Sequence, residues 1–231
     1  MNFFRLVLIL LLSLTALRGA DWPNWLGPNR DGISTESLPA SPRLDQVEWE
    51  AEIGIGFSSF AVAGGRVVTL GHIDGEEVVW CFAEDTGEVL WSFRYEAELM
   101  PNLHEGGPNA TPTIEDDRVY TLGKDGQFHC LSVKSGALIW KKNLLDEAVM
   151  YRAPEWGFGG SPLILGDWVI AESAITFAYD KQNGDLIWQS ERYRPGYGTP
   201  QLFPSGGKDY LAILKTDGLV ILDPTKGNTL G

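Results

Sequence analysis

Apolar and polar residues alternate in short runs along most of the chain, and glycine, asparagine or aspartate stands between the runs. Arg66–Leu70 and Arg118–Leu122 are typical of these runs. No segment of about 11 residues or more shows a convincing helical period. Runs with a period of two predict short strands whose alternate side chains are buried. The pattern therefore predicts an all-β protein.

One short signature recurs, in which a glycine is followed four residues later by a tryptophan. It occurs at Gly87–Trp91, Gly136–Trp140 and Gly184–Trp188, and a fourth copy begins at Asp223–Gly227 with Gly231 in the tryptophan position. Repeats at intervals of about 50 residues indicate a modular array. Glycine tolerates the positive φ of a tight turn, and we expect each tryptophan ring to cover the gap between neighbouring units.

A second signature opens each repeat, a hydroxyl residue followed by proline or phenylalanine: Ser59-Phe60, Thr111-Pro112, Ser161-Pro162 and Thr199-Pro200. Turns such as Gly64-Gly65 and Asp74-Gly75 then divide each unit into four strands. The third unit lacks an Asp-Gly pair, so Ser173-Ala174 must turn by other means. Four-stranded units of this length predict β-propeller blades, about four of them in an incomplete ring, at residues 57–95, 109–144, 158–192 and 197–231. The segments 97–108 and 144–158 are predicted to be inter-blade loops.

The first 20 residues are typical of a secretory signal peptide. Arg5 precedes the apolar run Leu6–Leu12, and small residues lead to a predicted cleavage after Ala20. An uncleaved anchor is the alternative. Residues 21–46 are then an N-terminal extension and residues 47–231 the repeats. Val47–Glu50 resembles an outer strand, and we expect it to complete the last blade and close the ring.

The Gly-x-x-x-Trp units resemble the repeats of the pyrroloquinoline-quinone-like (PQQ-like) β-propeller family, which includes quinoprotein dehydrogenases and an outer-membrane assembly lipoprotein. The opening Asp21–Gly32, which reads Asp-Trp-Pro-Asn-Trp-Leu-Gly-Pro-Asn-Arg-Asp-Gly, resembles the start of exported propellers of planctomycete-like and verrucomicrobial bacteria. Because rings of this family have more blades than are visible here, the resemblance implies an N-terminal fragment, or a truncated product.

Charge and cysteine content narrow the function. The formal net charge is −13, which disfavours nucleic-acid binding because phosphate contacts need clustered lysine and arginine. Cys81 and Cys130 each lie six residues before a repeat glycine and are predicted to be equivalent buried core residues; a disulfide between them is the alternative. The resemblance to quinoprotein dehydrogenases implies a quinone, a calcium ion and an adjacent-cysteine disulfide, but the sequence has no Cys-Cys pair.

The three histidines, His72, His104 and His129, fall in different settings, and no pair has metal-ligand spacing. In the loop 104–109, Glu105 and Asn109 are candidates for cation ligands if the loop faces the axial funnel; a simple turn that positions the next blade is the alternative.

The aromatic and glycine-rich segment Arg152–Gly160 offers Trp156 as a binding platform, unless Trp156 and Phe158 pack between blades. No nucleophile elbow, phosphate loop or pair of catalytic carboxylates is evident. We therefore predict no catalytic, cofactor-binding or metal-binding residues.

The sequence is best interpreted as a non-catalytic exported propeller, periplasmic or extracellular, that binds a protein or glycan partner in the cell envelope. After signal cleavage no membrane span is expected, and neither PQQ nor calcium is expected as a cofactor. A PQQ-dependent oxidoreductase of the quinoprotein dehydrogenase type is the alternative. A role as an outer-membrane protein assembly factor is a further alternative, which the absence of a lipid-anchor cysteine near the cleavage site disfavours.

Overall fold

A computed structural model describes residues 19–37, 40 and 46–231. Most of the predicted signal peptide, residues 1–18, lies outside the described residues. The strands and the one helix of the described chain are β1 Ala61–Ala63, β2 Arg66–Ile73, β3 Glu76–Ala83, β4 Val89–Glu96, β5 Thr113–Glu115, β6 Arg118–Leu122, β7 Gln127–Ser132, β8 Leu138–Asn143, α1 Leu144–Glu147, β9 Leu163–Leu165, β10 Trp168–Glu172, β11 Thr176–Asp180, β12 Leu186–Gln189, β13 Gln201–Ser205, β14 Lys208–Lys215 and β15 Gly218–Leu222.

These strands form four antiparallel sheets in chain order. Strands β1–β4, β5–β8 and β9–β12 make three four-stranded sheets, and β13–β15 make a three-stranded sheet. In the last sheet an isolated bridge joins Leu222 to Thr229 where a fourth strand would lie. The predicted all-β architecture, an incomplete β-propeller of four blades, is confirmed.

The turns follow the predicted chemistry. Gly64 and Gly65 have φ values of 58° and 77°, and Asp74 and Gly75 have values of 53° and 86°, as two-residue hairpin turns require. In the third blade, Ser173 replaces the Asp-Gly pair. Its hydroxyl accepts a hydrogen bond from the Ile175 N–H (3.3 Å) and donates one to the Ile175 carbonyl (2.8 Å).

The tryptophans clamp neighbouring blades together, as predicted. Each ring lies so close to the glycine turn of the next blade that a Cβ on that glycine would stand 2.4–2.9 Å from it: Trp49 on Gly87, Trp91 on Gly136, Trp140 on Gly184 and Trp188 on Gly227. The indole N–H of Trp91 also donates to the carbonyl oxygen of Val133 at 2.9 Å. These rings thus fix the distance between blades.

Trp49 packs like the later tryptophans, although it lies outside the strands of the described chain. Its ring packs on Gly87 of the first blade, just as each later ring packs on the glycine of the blade after it. Its indole N–H donates to the Glu84 carbonyl at 2.8 Å. However, residues 46–54 form no strand. The predicted role of Val47–Glu50 requires a partner strand from the last blade of a closed ring, so this role stays a prediction.

The second repeat signature also joins blades, close to the axis. The Thr111 N–H donates to the Ser161 hydroxyl, and the Ser161 N–H donates to the Thr199 hydroxyl, both at 2.9 Å. The Thr113 hydroxyl donates to the Pro162 carbonyl at 2.6 Å. Thr111, Thr113 and Ser161 have little or no solvent contact, so these bonds remove the penalty of leaving their buried polar groups unpaired.

The predicted loop 144–158 contains a helix that the sequence analysis did not identify. Residues Leu144–Glu147 form one turn, and the Asn143 side chain accepts a hydrogen bond from the Leu145 N–H at 2.9 Å. This is an N-cap interaction. A helix of one turn is too short to produce a visible period, so the pattern of residues could not reveal it.

The antiparallel order gives the arc two distinct faces. One, the loop face, carries the inter-blade loops and the turns between the second and third strands of each blade. The other, the turn face, carries the turns between the first and second strands and the glycine turns of the Gly-x-x-x-Trp signature. The first strands β1, β5, β9 and β13 form one side of each sheet and lie nearest the axis.

Candidate functional site

The loop face gathers several of the residues singled out from the sequence. Phe57 and Asn109 each lie four residues before the first strand of a blade, so they occupy equivalent positions on the loop face, close to the axis. The Phe57 N–H donates to the Pro108 carbonyl at 2.8 Å, which ties the leading segments of the first two blades together.

His104 and Trp156 complete a group of three aromatic rings and one amide side chain. We call this group, Phe57, His104, Asn109 and Trp156, the mouth cluster. The His104 ring lies 4.6 Å from Phe57, edge to face, and 5.5 Å from Trp156, stacked. The Asn109 amide donates to the Trp156 carbonyl at 3.3 Å. Asn109 and Trp156, proposed separately as a cation ligand and a binding platform, are therefore brought together.

The tautomer of His104 is fixed by the backbone. Its Nδ1 accepts a hydrogen bond from the Gly106 N–H at 3.0 Å, so the neutral ring carries its proton on Nε2. Glu105, the other proposed cation ligand, is exposed beside this turn. No group of three or more His, Cys, Asp or Glu side chains that could hold a metal ion occurs among the described residues.

Outside the mouth cluster, two loops expose large apolar side chains. Leu103 is 86% exposed, Val149 83% and Tyr151 100%; we call these three residues the loop-face patch. The Asn102 amide donates to the Glu155 carboxylate at 3.0 Å and so links the two loops. Apolar side chains presented in this way are typical of surfaces that bind other proteins.

Val149 is unusual in its backbone as well as its exposure. Its φ is 46°, a left-handed conformation that β-branched residues rarely adopt. Its N–H donates to the Asp146 carbonyl at 2.9 Å at the end of α1. Val149 thus combines an exposed side chain with a strained backbone, and strained backbone of this kind clusters at functional sites.

A buried acid lies beneath the loop face, between the first two blades. Glu77 accepts hydrogen bonds from the Tyr95 hydroxyl at 2.6 Å and from the Lys124 N–H at 2.9 Å. Burial raises the pKa of Glu77, and these two bonds oppose the change. Because both oxygens are bonded within the protein and the side chain is buried, Glu77 has no access to a substrate.

The side chain of Lys124 is also buried, and its ammonium has no hydrogen-bond partner among the described residues. Burial lowers the pKa of Lys124, while the nearby Glu77 opposes this. Gly157 lies on its aliphatic part, and the Phe158 N–H donates to the Lys124 carbonyl at 2.9 Å. Phe158 itself is buried between blades, as the alternative for this segment predicted.

The other two histidines, His72 and His129, are buried, and they contact residues outside the mouth cluster. Nε2 of His72 lies 2.8 Å from the Ala97 carbonyl. His129 packs against Phe93 and Tyr95, and burial, with a smaller effect of Lys141, lowers its pKa to about 4. His129 is therefore neutral at physiological pH.

The cysteines occupy equivalent positions in β3 and β7, and both are buried and free. Burial raises the pKa of each thiol to about 11. This matches the prediction of two core residues rather than a disulfide. Thiols with so little thiolate are poor nucleophiles, so neither Cys81 nor Cys130 suits a catalytic role.

The repeats, the blade order and the clamped tryptophans together point to one repeat family. The sequence model of the family described as outer membrane protein assembly factor BamB matches residues 75–231. The chain belongs to this family. Members of the BamB family share the PQQ-like repeat, which confirms the resemblance at that level. No curated protein matches the sequence.

Solved structures with the same fold include both BamB and dehydrogenases. BamB from Moraxella catarrhalis is 19% identical, with a TM-score of 0.55 over 74% of this chain and 50% of that one. Quinohemoprotein alcohol dehydrogenases from Comamonas testosteroni (16% identity, TM-score 0.63, 91% of this chain and 40% of that one) and Pseudomonas putida HK5 (14%, 0.57, 79% and 34%) are also similar.

The chain thus spans half or less of the length of these structures. At such identities the likeness concerns the fold, which hosts both kinds of protein. Within the described residues, no helix has the length and apolar character needed to cross a membrane.

Proposed function

We propose that this chain is an exported, non-catalytic propeller module that binds a protein partner in the cell envelope through its loop face. The observation that carries the proposal is the loop-face patch, whose three apolar side chains are more than 80% exposed. Membership of a family described as an outer-membrane protein assembly factor supports a partner engaged in that assembly. The predicted signal peptide supports export, to the periplasm or beyond.

The test compares a loop-face variant with a turn-face control. Leu103→Ser combined with Tyr151→Ser removes two apolar anchors, while Val89→Ser removes a half-exposed apolar residue beside a glycine turn. In quantitative affinity capture, we expect wild type and Val89→Ser to retain the same envelope protein in equal amounts. The double variant should retain about tenfold less of that protein, or still less. Equal capture by both variants, or none above background by wild type, contradicts the proposal.

A quinone-dependent oxidoreductase is the second candidate, because the likeness to an alcohol dehydrogenase extends over 91% of the chain. Two observations support the binding module over the enzyme. No group of three or more His, Cys, Asp or Glu side chains that could hold an ion occurs among the described residues, and Cys81 and Cys130 lie in separate sheets. Titration with PQQ and calcium, followed by absorbance and by dye-linked alcohol oxidation, separates the candidates. Cofactor uptake with turnover favours the enzyme. The absence of both uptake and turnover favours the binding module.

A further inference from the structure

The N-terminal segment Asp21–Gly32 lies on the axial side of the blades. The first strands of the blades each pair with a second strand on one side only, so their other edge faces the axis. The Trp22 N–H donates to the Val62 carbonyl at 2.7 Å, and the Val62 N–H donates back to the Trp22 carbonyl at 2.9 Å. This two-way pairing adds Trp22 to the free edge of β1 in the manner of an extra strand.

The same segment then reaches the next two blades. The Ile114 N–H on β5 donates to the Pro23 carbonyl at 2.7 Å. The Arg30 guanidinium donates to the Ile164 carbonyl on β9 at 3.4 Å. One continuous segment therefore contacts the inner edge of three successive blades, at the end where the turn face lies.

Two charged side chains of the segment have partners on the blades. Burial lowers the pKa of Arg30 to about 10, and Glu115 at the end of β5 opposes the change. At the other end of the segment, the Asp21 carboxylate accepts a hydrogen bond from the Gly64 N–H at 3.2 Å. Both charged ends of the segment thus have partners on the blades.

The segment has its own compact conformation. Gly27 has a φ of 78°, and a Cβ at this position would stand 2.6 Å from the Trp22 ring. The Gly27 N–H donates to the Asn24 carbonyl at 2.9 Å, and the Gly32 N–H donates to the Leu26 carbonyl at 2.9 Å. The chain turns back on itself, and the Trp22 ring rests on Gly27.

We propose that residues 21–32 form an axial plug, a peptide bound in cis to the inner edges of β1, β5 and β9. The plug closes the axial side at the turn face and leaves the loop face, with its mouth cluster, as the side from which a ligand approaches the axis. The site it fills recognises an extended Trp-Pro dipeptide by backbone pairing and an arginine by a backbone carbonyl.

Two glycine variants test the plug without truncating the chain. Gly27→Ala and Gly32→Ala both place a side chain at a positive φ (78° and 72°), but only the first collides with Trp22, since the nearest atom to a Cβ at Gly32 is 3.5 Å away. Gly27→Ala should raise amide hydrogen exchange at Val62 and Ile114 about tenfold relative to Gly32→Ala. Amides in the middle of β3 should not change.

A thiol probe reports the opening directly. Ala63→Cys places a thiol beside Asp21 and Pro23, while the native cysteines are buried. Maleimide should label this thiol slowly in the Gly32→Ala background and about tenfold faster in the Gly27→Ala background.

Three results would overturn the plug. One is rapid exchange of Val62 and Ile114 in the wild-type protein. Another is an equal effect of the two glycine variants on exchange or labelling. The third is a rise in exchange across all of β3 in Gly27→Ala, because the segment would then stabilise the whole arc rather than dock on it as a separate unit.

Discussion

Replacing Lys215 with methionine removes the charged partner of a buried carboxylate. Lys215 and Glu172 form an ion pair between the third and fourth blades, and both side chains are 1% exposed. Lys215 also donates to the Ser173 carbonyl at 2.9 Å, and Glu172 accepts from the Thr176 hydroxyl at 2.7 Å. After the substitution, Glu172 retains the hydroxyl bond alone.

The magnitude follows from this geometry. Removing one partner of a fully buried pair costs about 3–5 kcal/mol of unfolding free energy, because the remaining charge has lost both water and its counterion. For a domain of this size that corresponds to a fall in Tm of about 6–20 °C. The double variant Glu172→Leu/Lys215→Met leaves no charged side chain at these two positions, and we expect it to recover most of the loss.

The loss should depend on pH in a defined direction. Burial raises the pKa of Glu172 even beside Lys215, and removing the lysine raises this pKa further. A carboxyl group whose pKa is higher in the folded than in the unfolded protein binds more protons when folded. The folded state therefore loses stability as pH rises through the folded pKa. The cost of Lys215→Met should be largest at pH 8 and smaller at pH 5.

Urea unfolding followed by tryptophan fluorescence at both pH values measures these effects. Lys208→Met is the matched control, because Lys208 is an exposed lysine at the start of the same strand, β14. The control should change stability by less than about 0.5 kcal/mol. A loss below about 1 kcal/mol for Lys215→Met at pH 8, or a larger loss at pH 5 than at pH 8, would refute the reasoning.

Three further predictions concern His129, the clamp glycines and the thiols. Because His129 has its pKa lowered to about 4, the unfolded state binds the extra proton between pH 6.5 and 4, and wild type should lose about 3 kcal/mol there that His129→Phe does not lose; identical acid limbs would contradict this. Gly136→Ala puts a Cβ 2.6 Å from the neighbouring tryptophan, whereas Gly166→Ala meets nothing within 4 Å at a similar positive φ. Gly136→Ala should therefore lower the free energy of unfolding in urea by about 2 kcal/mol more than Gly166→Ala does. Equal losses in the two variants would contradict the clamp. Cys81 and Cys130 should both react with a thiol reagent in urea and neither in the native protein; rapid native labelling would show that they are accessible.

Several features of the fold could be predicted because they depend on local chemistry. Glycine turns need positive φ, which makes Gly87 and its equivalents visible in the sequence. The ring of Trp91 must then find a place within reach of the next glycine turn. The Ser/Thr-Pro signature was also visible, but its role was not, because the Thr111–Ser161 bond joins residues on different blades.

The arrangement of the candidate site was harder to predict. Asn109 and Trp156 were singled out separately, and only the packing of two loops brings them together with His104. The helix at Leu144–Glu147 was missed because one turn has no period. The axial position of Asp21–Gly32 depends on pairing with strands about 40 to 130 residues away, and long-range pairing of this kind leaves no local pattern.

The clamp has a direction, and that direction bears on how such proteins evolve. Each of the first three blades has a glycine turn that contacts the tryptophan ring preceding it in the chain, and a tryptophan that contacts the glycine turn of the next blade. A duplicated blade therefore carries both contact surfaces, and the blades on either side of it still pack against matching surfaces. Arrays of this kind can gain or lose whole blades without needing a new type of contact. The loss of one glycine or one tryptophan, in contrast, disrupts a single contact between blades and leaves the others intact.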